Sequence, residues 1–274
     1  MSEKETKNEP KDLVEATPEE MKKLEKEAVT TEEEKEILTR EEAIQKTRPS
    51  KMTEKERTTE TLKSWTPKTK LGKEVKAGKE KDIDKILKCG KKILESEIVD
   101  FLLPIESDLI LIGQAKGKFG GGKRRAWRQT QKKTKEGNVL SFSAMSVVGD
   151  KKGHIGLGFG KSRETLPARE KATRKAKLSI SKITLGFESP EAEPEGATPH
   201  TIPFKVVGKC GSIFITMMPA PRGTGLVAGD ECKKILKLAG VKDIYTKTRG
   251  KTKTTFNLAR ACVSALQKTR EMEV

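Results

Sequence analysis

Histidine and cysteine are scarce in this chain, with two and four copies among 274 residues. Cys89, Cys210, Cys232 and Cys262 stand far apart without paired spacing, and His154 and His200 are isolated. No zinc cluster can be assembled from them, so no metal is expected. Lone cysteines among apolar neighbours fit small core residues in a reducing compartment. There is neither a signal-peptide pattern nor an apolar run of membrane-spanning length, which points to a cytoplasmic protein with no membrane partner. Hydrophobic residues make up only 33% of the chain and aromatics 4%, too little for every segment to share in a core.

What the chain has in excess is positive charge. The formal net charge is +17, yet residues 1–50 hold fifteen acidic and ten basic side chains, a net of −5, so residues 51–274 carry +22. A body so lopsided points to a polyanion, and nucleic acid is the commonest. From Met1 to about Lys63 there is no aromatic residue, only Glu, Lys and Thr with scattered Leu and Met. Such an extension, residues 1–63, cannot bury a core alone and is expected to be disordered or partly helical. Thr17-Pro18-Glu19-Glu20 and Thr31-Glu32-Glu33-Glu34 read as helix starts, a capping threonine followed by acids at the positive end of the dipole.

One stretch raises the question of nucleotide chemistry. Lys151 to Thr165, KKGHIGLGFGKSRET, contains Gly160-Lys161-Ser162, the ending of a phosphate-cradling loop. That loop needs its first glycine at position 155, where Ile155 stands. The glycines Gly156, Gly158 and Gly160 are spaced by two instead, which puts them on one face of a β-strand and Ile155, Leu157 and Phe159 on the other. A bare strand face invites close approach. Two occupants fit it, a helix packed tightly across or an RNA backbone.

Order is expected from Ser64-Trp65-Thr66-Pro67 onward. Ile83, Ile86, Leu87, Ile93 and Leu94 recur near helical spacing from Lys81, and a mixed helical run continues from Ile98 to Leu103. Asp108 to Gln114 reads as a strand, and Val139 to Val148 as another, with Leu140, Phe142 and Ala144 alternating against serines. Between them lies a basic, glycine-rich hairpin, AKGKFGGGKRRAWRQTQKKTKEGN. Gly149 to Gly153 turns the chain into the glycine strand. Arg163 to Ile180 reads as a helix with Ala168, Ala172, Ala176 and Ile180 on one face and Lys171, Arg174 and Lys177 on the other. After a linker at 188–200, Ile202, Phe204 and Val206 suggest one strand and Ile213, Ile215 and Met217 the next, joined by a turn at Gly208 to Gly211. A helix from Val227 to Ala239 is expected to end at Gly240. A strand from Val241 to Thr246, a basic loop from Lys247 to Lys253, and a last helix carrying Phe256, Ala259, Val263 and Leu266 complete the pattern.

Three basic groups are the candidate RNA-binding sites. The first is Lys123, Arg124, Arg125, Arg128, Lys132 and Lys133 around Trp127. The second is Lys151, Lys152, Lys161, Arg163, Lys171 and Arg174 about the glycine strand. The third is Arg222 with Lys247, Arg249, Lys251 and Lys253. Each sits on a loop or element end, where side chains reach phosphates, while the acids gather in the extension and linker; a merely soluble surface mixes the signs. Trp127 is either a base-stacking platform or a loop anchor. The helix after Pro219 to Gly225, PAPRGTG, would turn its first amides toward Gly223–Gly225 with Arg222 beside them, an arrangement able to hold a phosphate. That stretch resembles the loop of galactokinase, homoserine kinase and mevalonate kinase. Their following serines are replaced here by Leu226-Val227-Ala228-Gly229-Asp230, and no catalytic carboxylate pair accompanies it, so neither an enzyme nor a cofactor is expected. A free RNA-binding regulator is the remaining rival.

The motif order VVGDKKGHIGLGFGKSRET, HTIPFKVVGKCGSIFITMMPAPRGTGLVAG, KLAGVKDIYTKTRG and TTFNLARA, over about Trp65 to Thr269, resembles the small-subunit ribosomal protein family called S-five in bacteria and archaea and S-two in eukaryotes. SWTPKTKLGKEV is similar to its archaeal branch. The resemblance implies an α+β protein: an N-terminal domain like a double-stranded-RNA-binding fold over 64–187, with three strands and helices, and a C-terminal β-α-β-α domain over 201–274 with a left-handed crossover. It implies a structural role in the small ribosomal subunit, binding to small-subunit ribosomal RNA, neighbours of the S-three, S-four and S-eight families, a place beside the messenger entry channel and an effect on decoding accuracy. It also implies that Lys161, Arg163 and Lys171 stand where the family pattern is basic. Many archaeal relatives carry a cysteine-bearing segment between the domains, for which Phe187-Glu188-Ser189-Pro190-Glu191 stands here.

Overall fold

The structure, a computed structural model, describes residues 62, 64–115, 124–188 and 198–272, the last two by their backbone alone. Residues 1–61 of the charged extension with its expected helix starts, most of the acidic linker, and Lys123 lie outside the described residues.

Three short helices open the described chain: α1 (Lys70–Lys76), α2 (Ile83–Lys88) and α3 (Ser96–Leu102). Thr69 caps α1 by accepting from the Gly72 N–H at 3.0 Å. The helix expected to run from Lys81 past Leu94 stops at Cys89, because Gly90 takes φ +69° and turns the chain back. Trp65, Val75, Ile83, Ile86, Ile93, Ile98 and Val99 close a small core over Ile180. Glu95 anchors it, its carboxylate accepting from Trp65 Nε1 at 2.9 Å and from the Lys68 and Thr69 amides at 3.0 and 2.6 Å.

The first sheet holds β1 (Glu106–Leu109), β2 (Trp127–Thr134), β3 (Gly137–Gly149), β4 (His154–Ser162) and β5 (Ser181–Lys182). Its heart is antiparallel β2-β3-β4, with β1 and β5 as short additions. The strand expected over Asp108 to Gln114 begins and ends earlier, at Glu106 and Leu109; beyond it the Leu111 amide bonds to Glu231 instead of a strand. Helix α4 (Thr165–Leu178) lies across the sheet.

The contact of α4 with β4 settles which occupant the glycine face has. A Cβ on Gly156, Gly158 or Gly160 would collide with the carbonyl oxygen of Ala176, Ala172 or Ala168 in turn. Both rows are bare, so the helix backbone seats directly on the strand and all three alanines are fully buried. The opposite face carries Ile155 and Leu157 into the main core and sets the half-buried Phe159 against Phe256. RNA against the glycine face is therefore corrected: the helix occupies it. Lys177 is corrected as well, since it turns inward to Asp100 at 2.7 Å.

The second sheet runs β6 (Val206–Cys210), β7 (Ile213–Pro219), β9 (Ile244–Arg249) and β8 (Leu226–Val227), with only β8 and β9 parallel. Helices α5 (Asp230–Ala239) and α6 (Thr255–Gln267) cover one face, and a short 3-10 turn, Lys268–Met272, follows. Three expectations shift here. Ile202 and Phe204 precede the strand, because Pro203 has no N–H to give a ladder. Gly208 is not a turn but a strand residue under α6, where a Cβ would meet the Ala261 carbonyl and Ala265. Leu226 and Val227 form β8, so α5 begins at Asp230 rather than Val227. Gly240 ends it in the left-handed region as expected, φ +93°.

The layers stack as α4, first sheet, α5 with α6, second sheet. One core runs between the sheets, joining Met145, Val147 and Ile155 to Ile213, Ile215, Met217, Ile235, Leu236, Ala259 and Leu266. The β3–β4 turn locks onto the end of α5: the Lys151 and Gly153 amides donate to the Leu238 and Ala239 carbonyls at 2.9 and 3.1 Å. Among the described residues, no helix is long and apolar enough to cross a membrane.

Candidate nucleic-acid interface

The pairing register places side chains by face. Arg128 pairs with Ser143 and Ser143 with Lys161, so the three form one row across β2, β3 and β4, about 10 Å from end to end at the usual strand spacing. The row lies on the face away from α4, with Phe159 one step along β4. Lys132 shares that face further up the hairpin, whereas Lys133 falls on the other. Trp127 pairs with Ala144 on the α4 side, half-buried, and the Arg169 guanidinium lies 4.9 Å from its ring centre. Trp127 is thus the anchor of the hairpin base, and the free stacking platform is not supported.

The second sheet meets this face at the start of α6. Phe256 packs edge-on against Phe159, with ring centres 5.0 Å apart at 84°. Arg260, one turn later, lies over Phe256 at 4.2 Å. Arg124, at the foot of the hairpin, donates to the Lys253 carbonyl at 3.5 Å. Residues from the first and third sequence groups thus come together beside Lys161 at one seam. Among the described residues, Arg124, Arg128, Lys161, Lys253 and Arg260 enter no ion pair. Glu231 lies close enough to Arg124 to feel its charge, but burial holds its carboxyl above the ordinary value and its oxygen accepts from Leu111.

The remaining candidates disperse. Lys171 and Arg174 are exposed on the outer face of α4, and Arg163 is exposed just before it. Lys152 sits on the β3–β4 turn, its amide bonded to Asp150 at 2.8 Å. Lys151 takes φ +61° and pairs with Glu106 at 2.6 Å, so its ammonium is already matched. Lys247 and Arg249 belong to β9, opposite Thr216 and Phe214 on the open face of the second sheet, while Lys251 follows in the loop. Arg125 is exposed beside Arg124. Arg222 occupies a turn at the far end of β9, away from Lys247 and Arg249, which separates the third group. The anion cradle expected at Gly223–Gly225 is corrected: α5 starts five residues later with Asp230 and Glu231 in its first turn, and the Gly225 amide is taken by Asp243 at 2.7 Å.

The other end of β4 is chemically opposite. His154 Nδ1 meets Asp150 at 2.6 Å and Nε2 meets Asp84 at 2.7 Å, while Lys182 holds the second Asp84 oxygen at 2.8 Å. Burial alone would depress the imidazole, but its hydrogen bonds to Asp150 and Asp84 outweigh that and hold its pKa above the ordinary value. Burial likewise pushes both carboxyls up, and is outweighed for Asp84 by Lys182 and His154 and for Asp150 by His154 and the Lys152 and His154 amides, so both lie below the usual value. This cluster ties α2 and β5 to β4. Among the described residues, no three His, Cys, Asp or Glu side chains group as a metal would need.

Sequence reasoning missed Arg169 and Arg260. Arg260 had a signal, standing four places after Phe256 in a helix; Arg169 had none, since Trp127 reaches it only through the sheet.

Two family models match the chain: one described as ribosomal protein S5, N-terminal domain, over residues 126–184, and one as ribosomal protein S5, C-terminal domain, over 208–274. The chain is similar to the small ribosomal subunit protein uS5 of Nanoarchaeum equitans, 45% identical over 214 residues that span 78% of this chain and 91% of that one. It is 44% identical over 209 residues to the uS5 of Pyrobaculum calidifontis, spanning 76% and 95% of the two. To the uS5 of Methanocaldococcus jannaschii it is 43% identical over 215 residues, spanning 77% and 92%.

Proposed function

The chain belongs to the ribosomal protein S5 family, and from that premise we propose how it is held in place. It is a structural constituent of the small ribosomal subunit, of archaeal type. The cations of the seam, Arg124, Arg128, Lys161 and Lys253, lie against phosphates of small-subunit ribosomal RNA, and the exposed Arg163, Lys171 and Arg174 extend that contact along α4. The observation that carries this reading is the Arg128–Ser143–Lys161 row, cations spaced by a sheet register with no carboxylate paired to them among the described residues. A sheet register fixes the spacing of the charges, and phosphate contacts position without reading sequence.

The protein works by binding and catalyses no reaction. Its place is in cytoplasmic ribosomes near the messenger entry channel, beside proteins of the S-three, S-four and S-eight families, where it supports decoding accuracy. The chain divides for this work into an RNA-binding part at 64–187 and a C-terminal part at 201–274. The test is incorporation of Arg128→Ala/Lys161→Ala into small subunits, together with its affinity for a small-subunit ribosomal RNA transcript. Removal of two phosphate contacts lowers the log–log salt slope of RNA binding by about 1.8. Wild-type incorporation and an unchanged slope would overturn the reading. Sedimentation of the native protein free of subunits in high-salt gradients would favour a free RNA-binding regulator.

A further inference from the structure

We propose that Arg260 is a preset phosphate ligand of ribosomal RNA at the seam, and that Phe256 and Phe159 are its positioning residues. The inference rests on the RNA reading above and adds a residue outside the three basic groups of the sequence. Arg260 is exposed on α6 and lies over the face of Phe256, its central carbon 4.2 Å from the ring centre. Phe256 cannot swing away, because its ring is set edge-on against Phe159 at 5.0 Å, and Phe159 is fixed on β4 between the core residue Leu157 and the exposed Lys161. The stack therefore joins the two sheets and ends in a guanidinium.

A guanidinium stacked on an aromatic face keeps its N–H donors free at its edge, and a planar fork of donors matches two phosphate oxygens. Stacking also restricts the side chain before any ligand arrives, so less freedom is lost on binding. No carboxylate is paired with Arg260 among the described residues. The anchoring ring belongs to the second sheet's helix and its support to the first sheet's strand. A phosphate bound here would thus be gripped from both halves, with Lys161 supplying the second charge.

The experiment compares Arg260→Ala, Arg260→Lys, Arg260→Met and Phe256→Leu in the full chain, binding a small-subunit ribosomal RNA transcript across a salt series, with thermal unfolding measured in parallel. Arg260→Ala and Arg260→Met are expected to weaken binding about tenfold at 0.1 M salt and to lower the log–log slope by about 0.9, the value of one phosphate. Arg260→Lys keeps the slope but loses about threefold in affinity, because a point charge replaces the fork. Phe256→Leu keeps the slope and loses affinity through the freed guanidinium. If Arg260 merely shields the ring, Arg260→Met binds like wild type and only the unfolding temperature moves; that result overturns the inference. Should Arg128→Ala/Lys161→Ala weaken binding while the Arg260 variants do not, the inference falls and the seam reading stands. Loss in none of them overturns both.

Discussion

The two ends of β4 differ in how they treat charge. At its start, His154 is enclosed by Asp150 and Asp84, and Lys182 completes the match. Seven residues on, Lys161 is exposed in a row with Arg128 and, among the described residues, meets no carboxylate in an ion pair. Both ends looked alike as basic composition around a glycine strand. The difference teaches that a net charge of +17 is not a uniform property of the surface. Matched charges fasten elements of the fold, and unmatched ones stay exposed on its surface. What sorts them is which strands and helices arrive at each end.

The comparison depends on the strand between, and breaking that strand has the largest effect. Gly158→Val places a side chain into the Ala172 carbonyl and the Ala176 backbone, neither of which can give way, so a loss above about 4 kcal/mol is expected in thermal or urea unfolding. Lys152→Ala, on the adjoining turn, should stay within about 0.5 kcal/mol. Next comes the matched end. Asp150→Ala leaves Nδ1 of the buried His154 imidazole and the Lys152 and His154 amides without their acceptor, and should cost about 3 kcal/mol in urea unfolding. The salt slope of RNA binding should not change, and a change would erase the distinction between the two ends.

At the unmatched end the outcomes reverse. Lys161→Ala should lower affinity for a small-subunit ribosomal RNA transcript about tenfold, and Lys161→Glu further, since reversal adds repulsion to the lost contact. Unfolding of either should stay within about 0.5 kcal/mol of wild type. A pH titration of stability gives the smallest effect and the sharpest sign. His154 is raised, so its contribution is complete below about pH 6.5, the unfolded value, and fades as pH rises through the folded value. Asp84 and Asp150 are lowered, so theirs is complete above about pH 4 and fades as pH falls through their folded values. The cluster is therefore strongest between about pH 4 and pH 6.5. His154→Gln should flatten the upper limb of the stability curve; an unaltered limb would exclude His154 as its source.

Much of the fold could be read from local periods. The glycines at spacing two and the alanines at spacing four each name a bare face, and the two faces fit only each other. The same device at Gly208 under Ala261 and Ala265 went unread, because a single glycine beside Gly211 has no period and reads as a turn. Leu226 and Val227 continued the apolar pattern of a helix and were drawn out of it by parallel pairing with Ile244 and Tyr245, a long-range choice that local spacing does not encode. The seam was half legible. Its cations stood out by type, yet Arg124 and Lys253 are 129 positions apart and only the packing of α6 on β4 brings them together. Other long-range contacts, from β1 and α3, removed Lys151 and Lys177 from the free set by supplying Glu106 and Asp100.

The layered core also governs how the chain fares while it is being made. The face of β4 opposite the glycines is covered by α5 and α6, and α6 begins only at Thr255, twenty residues from the C-terminus. From the end of α4 at Leu178 until synthesis reaches Thr255, the first sheet can dock α4 but must leave Ile155, Leu157 and Phe159 without their cover, an interval of about 4 to 15 seconds at ordinary elongation rates. A nascent chain stalled before Thr255 would be an aggregation-prone species with its Arg128–Ser143–Lys161 row already assembled. Truncation at the last helix should therefore yield a protein that precipitates unless a polyanion or a chaperone covers it.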